Sequence, residues 1–268
     1  MCCGYGADGM DNEVGYDCVI IDEFHHSGAA TYRKLNKKTW NGVYYRFGLT
    51  ATPFRSQDHE RLLLESVLSK IIYRIEYKDA VAKGYIAPLE AYYYDLPKTE
   101  IKGDDSSWPA MYSELISKNI PRNTHIADLL AKLNEAQIST LCLVKEIAHG
   151  DALVRLSGEC FVYGADQSTK NYIAALNGRD INVLIGTTGV VGEGVDTKPC
   201  EYVIIAGLGK SKNALMQQFG RPQRAYPGKE SGKVILFRDA SHKWTLQHFK
   251  EQCKILKEEY GVVPVKLN

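Results

Sequence analysis

Two carboxylates and a histidine directly follow an apolar, β-branched run: Asp22, Glu23 and His25 come after Val19-Ile20-Ile21. A buried parallel strand delivers polar side chains to the carboxyl edge of its sheet in this way, and nucleotides bind at that edge. A nucleoside triphosphate arrives with Mg²⁺, so Asp22 is a candidate metal ligand, usually through water. Glu23 can orient and deprotonate an attacking water molecule. The residues therefore suggest metal-assisted phosphate chemistry, with ordinary solvated acids at a strand end as the alternative.

A second stretch that resembles a strand ends in two threonines, Thr50 and Thr52, just before Pro53. Proline stops a strand because it has no backbone N–H to donate. If this strand lies beside the first, the two hydroxyls can hydrogen-bond His25 or a water molecule bound to the phosphate. The alternative is that both are ordinary strand threonines, which their β propensity favours.

A third candidate group begins where another apolar run ends, at Thr187 and Thr188, and continues through the Gly-rich residues 189–196. Threonine hydroxyls can donate to a phosphate, and glycines allow the backbone to approach a phosphodiester closely. The two threonines are therefore candidates for nucleic-acid binding. The candidate nucleotide-binding residues of this stretch are Gly192, Glu193, Gly194 and Asp196. A Gly-rich turn between a strand and its crossover is the alternative.

A fourth group lies at the end of a predicted helix, where Gln217 is followed by Arg221 and Arg224. Arginine forks suit phosphate oxygens, and an arginine supplied across a cleft stabilises the charge that develops on a transferred γ-phosphoryl group. Arginines are also common at protein surfaces, so this group is convincing only together with the others.

The elements that must position these groups are strands alternating with helices, most regularly after residue 122. Such alternation predicts an α/β fold with parallel strands and right-handed crossovers. An aperiodic stretch rich in Lys, Gly, Asp and Ser separates an earlier part from this regular part. We therefore expect a first domain over 1–97, a linker over 98–121 and a second domain over 122–268.

Composition sets the broad class of the protein. The 268 residues, of which 44% are hydrophobic, can bury two ordinary cores. A net charge of +1 means that any nucleic-acid contact comes from local loops and a cleft rather than from a basic field. Seven cysteines without a C-x-x-C pair indicate reduced thiols. No apolar run is long enough to span a bilayer and no secretory signal precedes the fold, so we expect a cytoplasmic protein without membrane contact.

Taken together and in this order, the four groups resemble the motifs of superfamily 2 DEAD/DEAH-type helicases and translocases. The D-E-x-H box corresponds to Asp22, Glu23 and His25, the T-A-T box to residues 50–52, the G-E-G-x-D stretch to residues 192–196, and the Q-x-x-G-R-x-x-R box to Gln217, Gly220, Arg221 and Arg224. The strings at 48–55 and 207–217 are similar to the branch of type III restriction subunits and phage DNA helicases.

The resemblance implies two RecA-like lobes, the first one truncated, with ATP and Mg²⁺ between them. By this resemblance Asp22 and Glu23 hold the metal and the water, Arg221 and Arg224 act as arginine fingers, and His25 and Gln217 couple the nucleotide site to nucleic acid. Thr50 and Thr52 belong to the same coupling. Nucleic acid, DNA rather than RNA, would cross both lobes, in the host cytoplasm if the gene is carried by a phage.

The sequence departs from this family at one place. Its members carry a phosphate-cradling G-x-x-x-x-G-K-[ST] loop upstream of the D-E-x-H box, and no such stretch precedes Asp22. The Gly209-Lys210-Ser211 triplet fails the spacing, because the required earlier glycine falls on Ile204. We therefore expect the C-terminal part of an ATP-dependent DNA helicase or translocase, either as a truncated gene product or as one piece of a split enzyme that a separate N-terminal fragment complements. The alternatives are a non-catalytic nucleic-acid-binding remnant and, third, a nucleotidase that uses the triplet at 209–211.

Overall fold

The computed structural model describes residues 17–25, 30–51, 70–100, 111–164, 167–191, 196–207 and 209–267. The chain divides into two compact units, residues 1–74 and 75–268, which we call the first and second unit. Within these described ranges, no helix is long and apolar enough to cross a bilayer.

The first unit contains a pair of parallel strands, β1 (Cys18–Ile21) and β2 (Tyr45–Gly48), with helix α1 (Ala30–Lys38) between them in sequence. A parallel pair requires such a crossover, because the chain must return to the starting edge of the sheet. Ile21 pairs with Gly48, so both strands end at the same level. The residues that follow the two strands therefore lie at a shared carboxyl edge.

The second unit is built on a seven-stranded, entirely parallel sheet with the strand order β5-β6-β4-β7-β8-β3-β9. Its strands are β3 (Leu89–Asp95), β4 (Thr140–Val144), β5 (Cys160–Val162), β6 (Val183–Thr187), β7 (Tyr202–Ile205), β8 (Gly232–Arg238) and β9 (Val265–Lys266). Its α-helices are α2 (Tyr77–Ala82), α3 (Ile120–Glu135), α4 (Ile147–Ser157), α5 (Gln167–Gly178), α6 (Thr188–Val191), α7 (Lys212–Gly220) and α8 (Lys243–Ile255).

Helices cover both faces of this sheet, which is why its strands are almost continuously apolar. All five residues of β4 and all five of β6 are buried. On one face, α3 and α4 pack against alternate strand residues that include Cys142 and Ile185. On the other face, α5, α7 and α8 pack against the intervening residues, such as Leu143 and Leu184. We call these the α3–α4 face and the α7–α8 face.

The strand and helix alternation expected after residue 122 is present, but the division of the chain differs from the expected one. Strand β3, placed in the first domain by the sequence, pairs with β8 along its whole length in the second unit. Leu89 and Ala91 are buried in that sheet. The apolar character of β3 therefore reflects a partner strand more than 130 residues away, which local periodicity does not reveal.

The expected linker over 98–121 also differs from the structure. Its C-terminal part forms a helical turn, Ser113–Ser117, and the buried residues Met111, Tyr112, Leu115 and Ile116 form a small apolar cluster there. The stretch 71–76 has no regular secondary structure and leads into α2. The spacing of apolar residues alone therefore does not show that the C-terminal part of the expected linker is helical and buried.

Candidate functional site

The carboxyl edge of β1 and β2 brings three of the predicted residues together. The N–H of Leu49 donates to the carbonyl of Ile21 at 2.8 Å, and the N–H of Phe24 donates to the carbonyl of Leu49 at 2.9 Å. These bonds continue the pairing beyond the strands, so the turn after β1 lies against the turn after β2. The expectation that the second strand lies beside the first is confirmed.

His25 is the centre of this cluster. It is buried, and its Nδ1 lies 3.1 Å from Oγ1 of Thr50 and 3.2 Å from Oε2 of Glu23. One ring nitrogen therefore contacts both the T-A-T box and the candidate general base. The sequence left two partners open for Thr50, His25 or a phosphate-bound water, and the structure contains the first contact. His25 therefore forms a direct link between Thr50 and Glu23.

Asp22 and Glu23 occupy a tight turn. Glu23 has a positive φ of 47°, a backbone conformation that side chains other than glycine adopt rarely and at some cost. Its N–H donates to Oδ1 of Asp22 at 2.9 Å. Asp22 is exposed and Glu23 is partly exposed, so both carboxylates are open to solvent at the edge. Mg²⁺ in nucleotide sites is commonly held by one or two carboxylates together with water and phosphate oxygens, and this pair fits such a site.

Arg221 and Arg224 lie at the amino edge of the sheet in the second unit, whereas Asp22 and Glu23 follow the carboxyl end of β1 in the first unit. Helix α7 follows β7 and runs back along the sheet, so the turn Arg221–Gln223 that follows it lies at the amino edge of the strands. Arg221 is 3% exposed, whereas Arg224 is partly exposed. Burial, with a smaller contribution from the repulsion of Arg224, lowers the pKa of Arg221 to about 10. Arg221 therefore remains a cation at neutral pH.

Backbone hydrogen bonds from the segment before β3 hold this turn. The N–H of Ala87 donates to the carbonyl of Gln223 at 2.7 Å, and Ile86 forms an antiparallel bridge with Arg224. The side chain of Gln223 donates to the carbonyl of Phe219 at 2.8 Å. A Cβ on Gly232 would lie 2.2 Å from the carbonyl oxygen of Pro222, so only glycine allows the turn to lie this close to β8.

Asp196 lies at the same edge and forms an ion pair with Arg224. Its carboxylate also lies 3.4 Å from Nζ of Lys198, and its backbone carbonyl accepts from Nδ2 of Asn177 at 2.7 Å. Partial burial acts to raise the pKa of Asp196, but the hydrogen bond and charge of Arg224, with those of Lys198, outweigh it and lower that pKa. The structure therefore joins the end of the G-E-G-x-D stretch to the end of the arginine box.

Thr187 and Thr188 lie at the carboxyl edge of the second unit, away from the arginine turn. Thr187 ends β6 and is buried, and Thr188 begins the short helix α6. Gln217 is partly buried within α7. Thr52 and the residues Gly192, Glu193 and Gly194 lie outside the described residues.

Two residues with suitable chemistry were missed by the sequence analysis. Lys145 directly follows β4 and is exposed, and Tyr163 directly follows β5 and is 55% exposed. Each comes at the end of an apolar run, which is the same sequence feature that marks Asp22. A search of the strand ends in the second unit for polar and aromatic residues would have identified both.

Comparisons with known proteins identify relatives in sequence and in fold. The sequence model of the family described as "Type III restriction enzyme, res subunit" matches residues 9–55. A protein assigned as helicase 22 of the Sulfolobus islandicus filamentous virus (isolate Iceland/Hveragerdi) is 28% identical over 270 aligned residues, which cover 93% of this chain and 47% of that protein. The chain therefore spans about half the length of that relative.

The ATP-dependent DNA helicase UvsW of Enterobacteria phage T4 is 29% identical over 126 residues, covering 42% of this chain and 24% of UvsW. Its crystal structure superposes with a TM-score of 0.54 and 19% identity, over 94% of this chain and 54% of that one. Dbp5 of Saccharomyces cerevisiae, bound to RNA and ADP BeF3, gives a TM-score of 0.62 and 14% identity over 93% of this chain and 59% of that one. At these identities the superpositions show a shared RecA-like fold.

The fold and the sequence matches point to one class: this chain has a RecA-like parallel sheet and resembles superfamily 2 helicases. Within that class, its resemblance to type III restriction subunits and to viral and phage helicases is confirmed by the matches to the res subunit family, the filamentous virus protein and UvsW.

Proposed function

We propose that this chain is the C-terminal part of an ATP-dependent DNA helicase or translocase, which couples ATP hydrolysis to movement along nucleic acid or to its unwinding. The observation that carries the proposal is the cluster in the first unit, where His25 contacts Glu23 and Thr50 at 3.2 Å and 3.1 Å. A histidine that contacts both a candidate base and the next motif is arranged to transmit a change at one to the other.

In this proposal each described residue has one task. Asp22 holds Mg²⁺, usually through water, and Glu23 orients the attacking water and accepts its proton. Bound Mg²⁺·ATP supplies the γ-phosphoryl group and the divalent charge. Arg221, kept cationic in its turn, stabilises charge on the phosphoryl oxygens, and Arg224 is positioned by Asp196. His25 and Gln217 link this chemistry to nucleic acid, and differential grip in the open and closed states produces stepping.

The phosphate-cradling loop comes, in this proposal, from a polypeptide segment that is not in this sequence. Support comes from the failure of Gly209-Lys210-Ser211 to match the loop spacing and from the fact that the chain aligns with 47% of its viral relative. The segment belongs either to a longer chain or to a separate N-terminal fragment. The nucleotide-contact roles of Gly192, Glu193, Gly194 and Asp196, and the coupling role of Thr52, remain part of this proposal.

DNA is the proposed substrate rather than RNA, because UvsW is named as a DNA helicase and the Type III restriction enzyme family matches the first unit. The host cytoplasm is the proposed location for a virus-encoded chain, in line with the filamentous virus relative.

The test is DNA-stimulated ATP hydrolysis by the purified chain, alone and joined to a segment that carries the G-x-x-x-x-G-K-[ST] loop. We expect turnover only in the joined protein. Glu23→Gln should nearly abolish turnover and leave nucleotide binding, and Arg221→Ala should slow turnover by about a thousandfold or more. Glu114→Gln is a matched control, since Glu114 is an exposed acid that pairs with the exposed Lys118 four residues along the chain. Normal turnover in Glu23→Gln would contradict the assigned role.

The second candidate is a non-catalytic nucleic-acid-binding module, which Thr188 and the exposed Lys145 at the strand ends of the second unit would serve equally well. It predicts DNA binding without ATP hydrolysis in both forms of the protein. DNA-dependent hydrolysis that Glu23→Gln removes would exclude this candidate.

A further inference from the structure

Three neighbouring strands of the second unit, β5, β6 and β4, end side by side at the carboxyl edge of the sheet. Val162 pairs with Gly186 between β5 and β6, so the next residue, Tyr163, lies level with Thr187. Val144 pairs with Thr187 between β4 and β6, so Lys145 lies level with Thr188. The register therefore places an aromatic ring, two hydroxyls and an ammonium group on three consecutive strand ends.

Tyr163 and Thr187 also share a face of the sheet. Phe161 and Ile185 are register partners, and both pack in the α3–α4 face. Side chains alternate between faces with a period of two, so Tyr163 and Thr187, two residues further along each strand, project on that same side. Neighbouring strands lie about 4.8 Å apart. Tyr163 and Thr187 are therefore neighbouring positions on one face of the sheet, one strand spacing apart.

The ring of Tyr163 has a fixed support on one side. Its centroid lies 5.2 Å from that of Phe161, with the two planes inclined by 38°. Phe161 packs directly on Gly150 of α4, where an added Cβ would lie 2.1 Å from the ring. Phe161 is therefore held between the sheet and the helix, whereas Tyr163 is 55% exposed. A supported ring with an open side loses little side-chain entropy when a second flat group stacks on it.

We propose that Tyr163 is a stacking platform for a nucleobase of single-stranded nucleic acid, with the adjacent phosphate received by Thr187 on the same face. Thr188 and Lys145, at the same edge, receive a neighbouring phosphate; alternation places Lys145 on the α7–α8 face, with its Nζ 5.4 Å from the ring centroid of Tyr112. Aromatic side chains beside a basic, hydroxyl-lined backbone track are how proteins bind single strands without reading their sequence. Lys145 adds one phosphate contact and the corresponding counterion release. The inference deepens the proposed function and depends on nucleic-acid binding by this chain. It adds a contact to the base, where the sequence motifs supply contacts to phosphate.

The test compares the binding of two fluorescent oligonucleotides of equal length and charge, oligothymidylate and its abasic counterpart, by anisotropy. Tyr163→Leu keeps apolar cover on Phe161 and removes the π face. It should weaken oligothymidylate binding by roughly 5- to 100-fold, as stacking energies of single bases imply, and leave abasic binding unchanged. Tyr163→Phe and Tyr163→Trp should retain binding to both oligonucleotides.

Two further variants separate stacking from charge and from general surface effects. Lys145→Ala should weaken both oligonucleotides alike and reduce the slope of log K against log salt by about 0.7. Tyr172→Ala is the matched control, because Tyr172 is also exposed but lies on α5, which covers the opposite face of the sheet. It should leave both affinities unchanged.

The outcomes distinguish this inference from the proposed function. A thermal unfolding curve first establishes that the Tyr163→Leu variant is folded. If this variant and the unsubstituted chain then bind oligothymidylate equally well, the stacking site is wrong and the proposed function stands. Equal weakening of both oligonucleotides by Tyr163→Leu also overturns stacking. If the unchanged chain binds neither oligonucleotide, the proposed function and the stacking site both fail.

Discussion

The two units support their functional residues in different ways. In the first unit, β1 and β2 carry the candidate catalytic carboxylates, yet Ile20, Tyr45 and Phe47 are 64%, 56% and 42% exposed. In the second unit, every residue of β4 and β6 is buried. Parallel strands are normally covered on both faces, and a two-stranded sheet is marginal by itself. Among the described residues, the carboxylate site therefore rests on a less buried pair of strands than do the arginine turn and the ends of β4, β5 and β6.

The largest expected effect concerns a charge inside the stronger unit. Arg122 is 1% exposed, its Nη2 donates to the carbonyl of Ala206 at 2.7 Å, and its guanidinium lies 5.6 Å from the ring centroid of Phe237. Burial lowers the pKa of Arg122, and the attraction of the buried Asp239 opposes this shift. Arg122→Ala leaves Asp239 without a compensating cation, so it should lower the free energy of unfolding of the second unit by about 3–5 kcal/mol.

Chemical denaturation followed by near-UV circular dichroism measures this loss. The double variant Arg122→Met with Asp239→Asn should recover part of it, because no charge then remains unpaired. A loss below about 1 kcal/mol in Arg122→Ala would mean that the buried cation is not important for the stability of the sheet.

Hydrogen exchange tests whether the strands of the first unit open more readily than the strands of the second. Amides of β4 and β6 should exchange only through global unfolding, whereas those of β1 and β2 exchange through local opening. We expect the second group to exchange about a hundredfold faster or more, measured by mass spectrometry on peptides that contain each strand. Equal protection of these amides in the two units would contradict the difference in stability between them.

A smaller effect is expected where α4 meets β5. Gly150→Ala places a methyl group against the ring of Phe161, which must move. Overpacking of this kind typically costs about 1–3 kcal/mol, and here it should also displace Tyr163 and weaken oligothymidylate binding. Thermal unfolding and anisotropy on the same sample measure both results. Gly42→Ala is a suitable control, because an added Cβ there meets no atom within 4 Å and Gly42 belongs to none of the candidate sites.

The smallest effect is expected at the arginine turn. The pKa of Asp196 is lowered in the folded protein, so the ion pair with Arg224 contributes stability above the ordinary Asp pKa of about 3.9 and loses it as the pH falls through the lowered value. Both side chains are partly exposed, at 39% and 53%, so the contribution is below about 1 kcal/mol. Melting curves of Asp196→Asn at pH 7 should show a slightly lowered stability, and the difference from the unchanged chain should vanish near pH 2.

Much of the second unit is predictable from sequence, because its strands are short apolar runs separated by helices with apolar spacing. Asp22, Glu23 and His25 are predictable for a related reason, since polar residues abruptly follow an apolar run. The place of β3 is not predictable in this way. Its partner β8 lies far along the chain, and nothing in the sequence of β3 specifies which sheet receives it.

The pairing register of the strands is a second feature that the sequence alone does not predict. The contact between His25 and Thr50 is expected only as one of two possibilities, and the alignment of Ile21 with Gly48 brings the two residues together. In the same way, Tyr163 and Thr187 become neighbours through the pairing of β5 with β6. A shift of one residue would move each side chain to the other face, and periodicity alone does not fix that choice.

The bond between Ala87 and Gln223 has a mechanical consequence. Within the second unit, the chain passes through α2 and reaches the bridge of Ile86 with Arg224 before it enters β3. A force that pulls on the start of this unit therefore meets the contacts of Tyr77 first, where the ring packs against Tyr260 and the hydroxyl accepts from the N–H of Leu89, and it loads the arginine turn next. The arginine box is in this sense a second anchor for the chain that leads into β3.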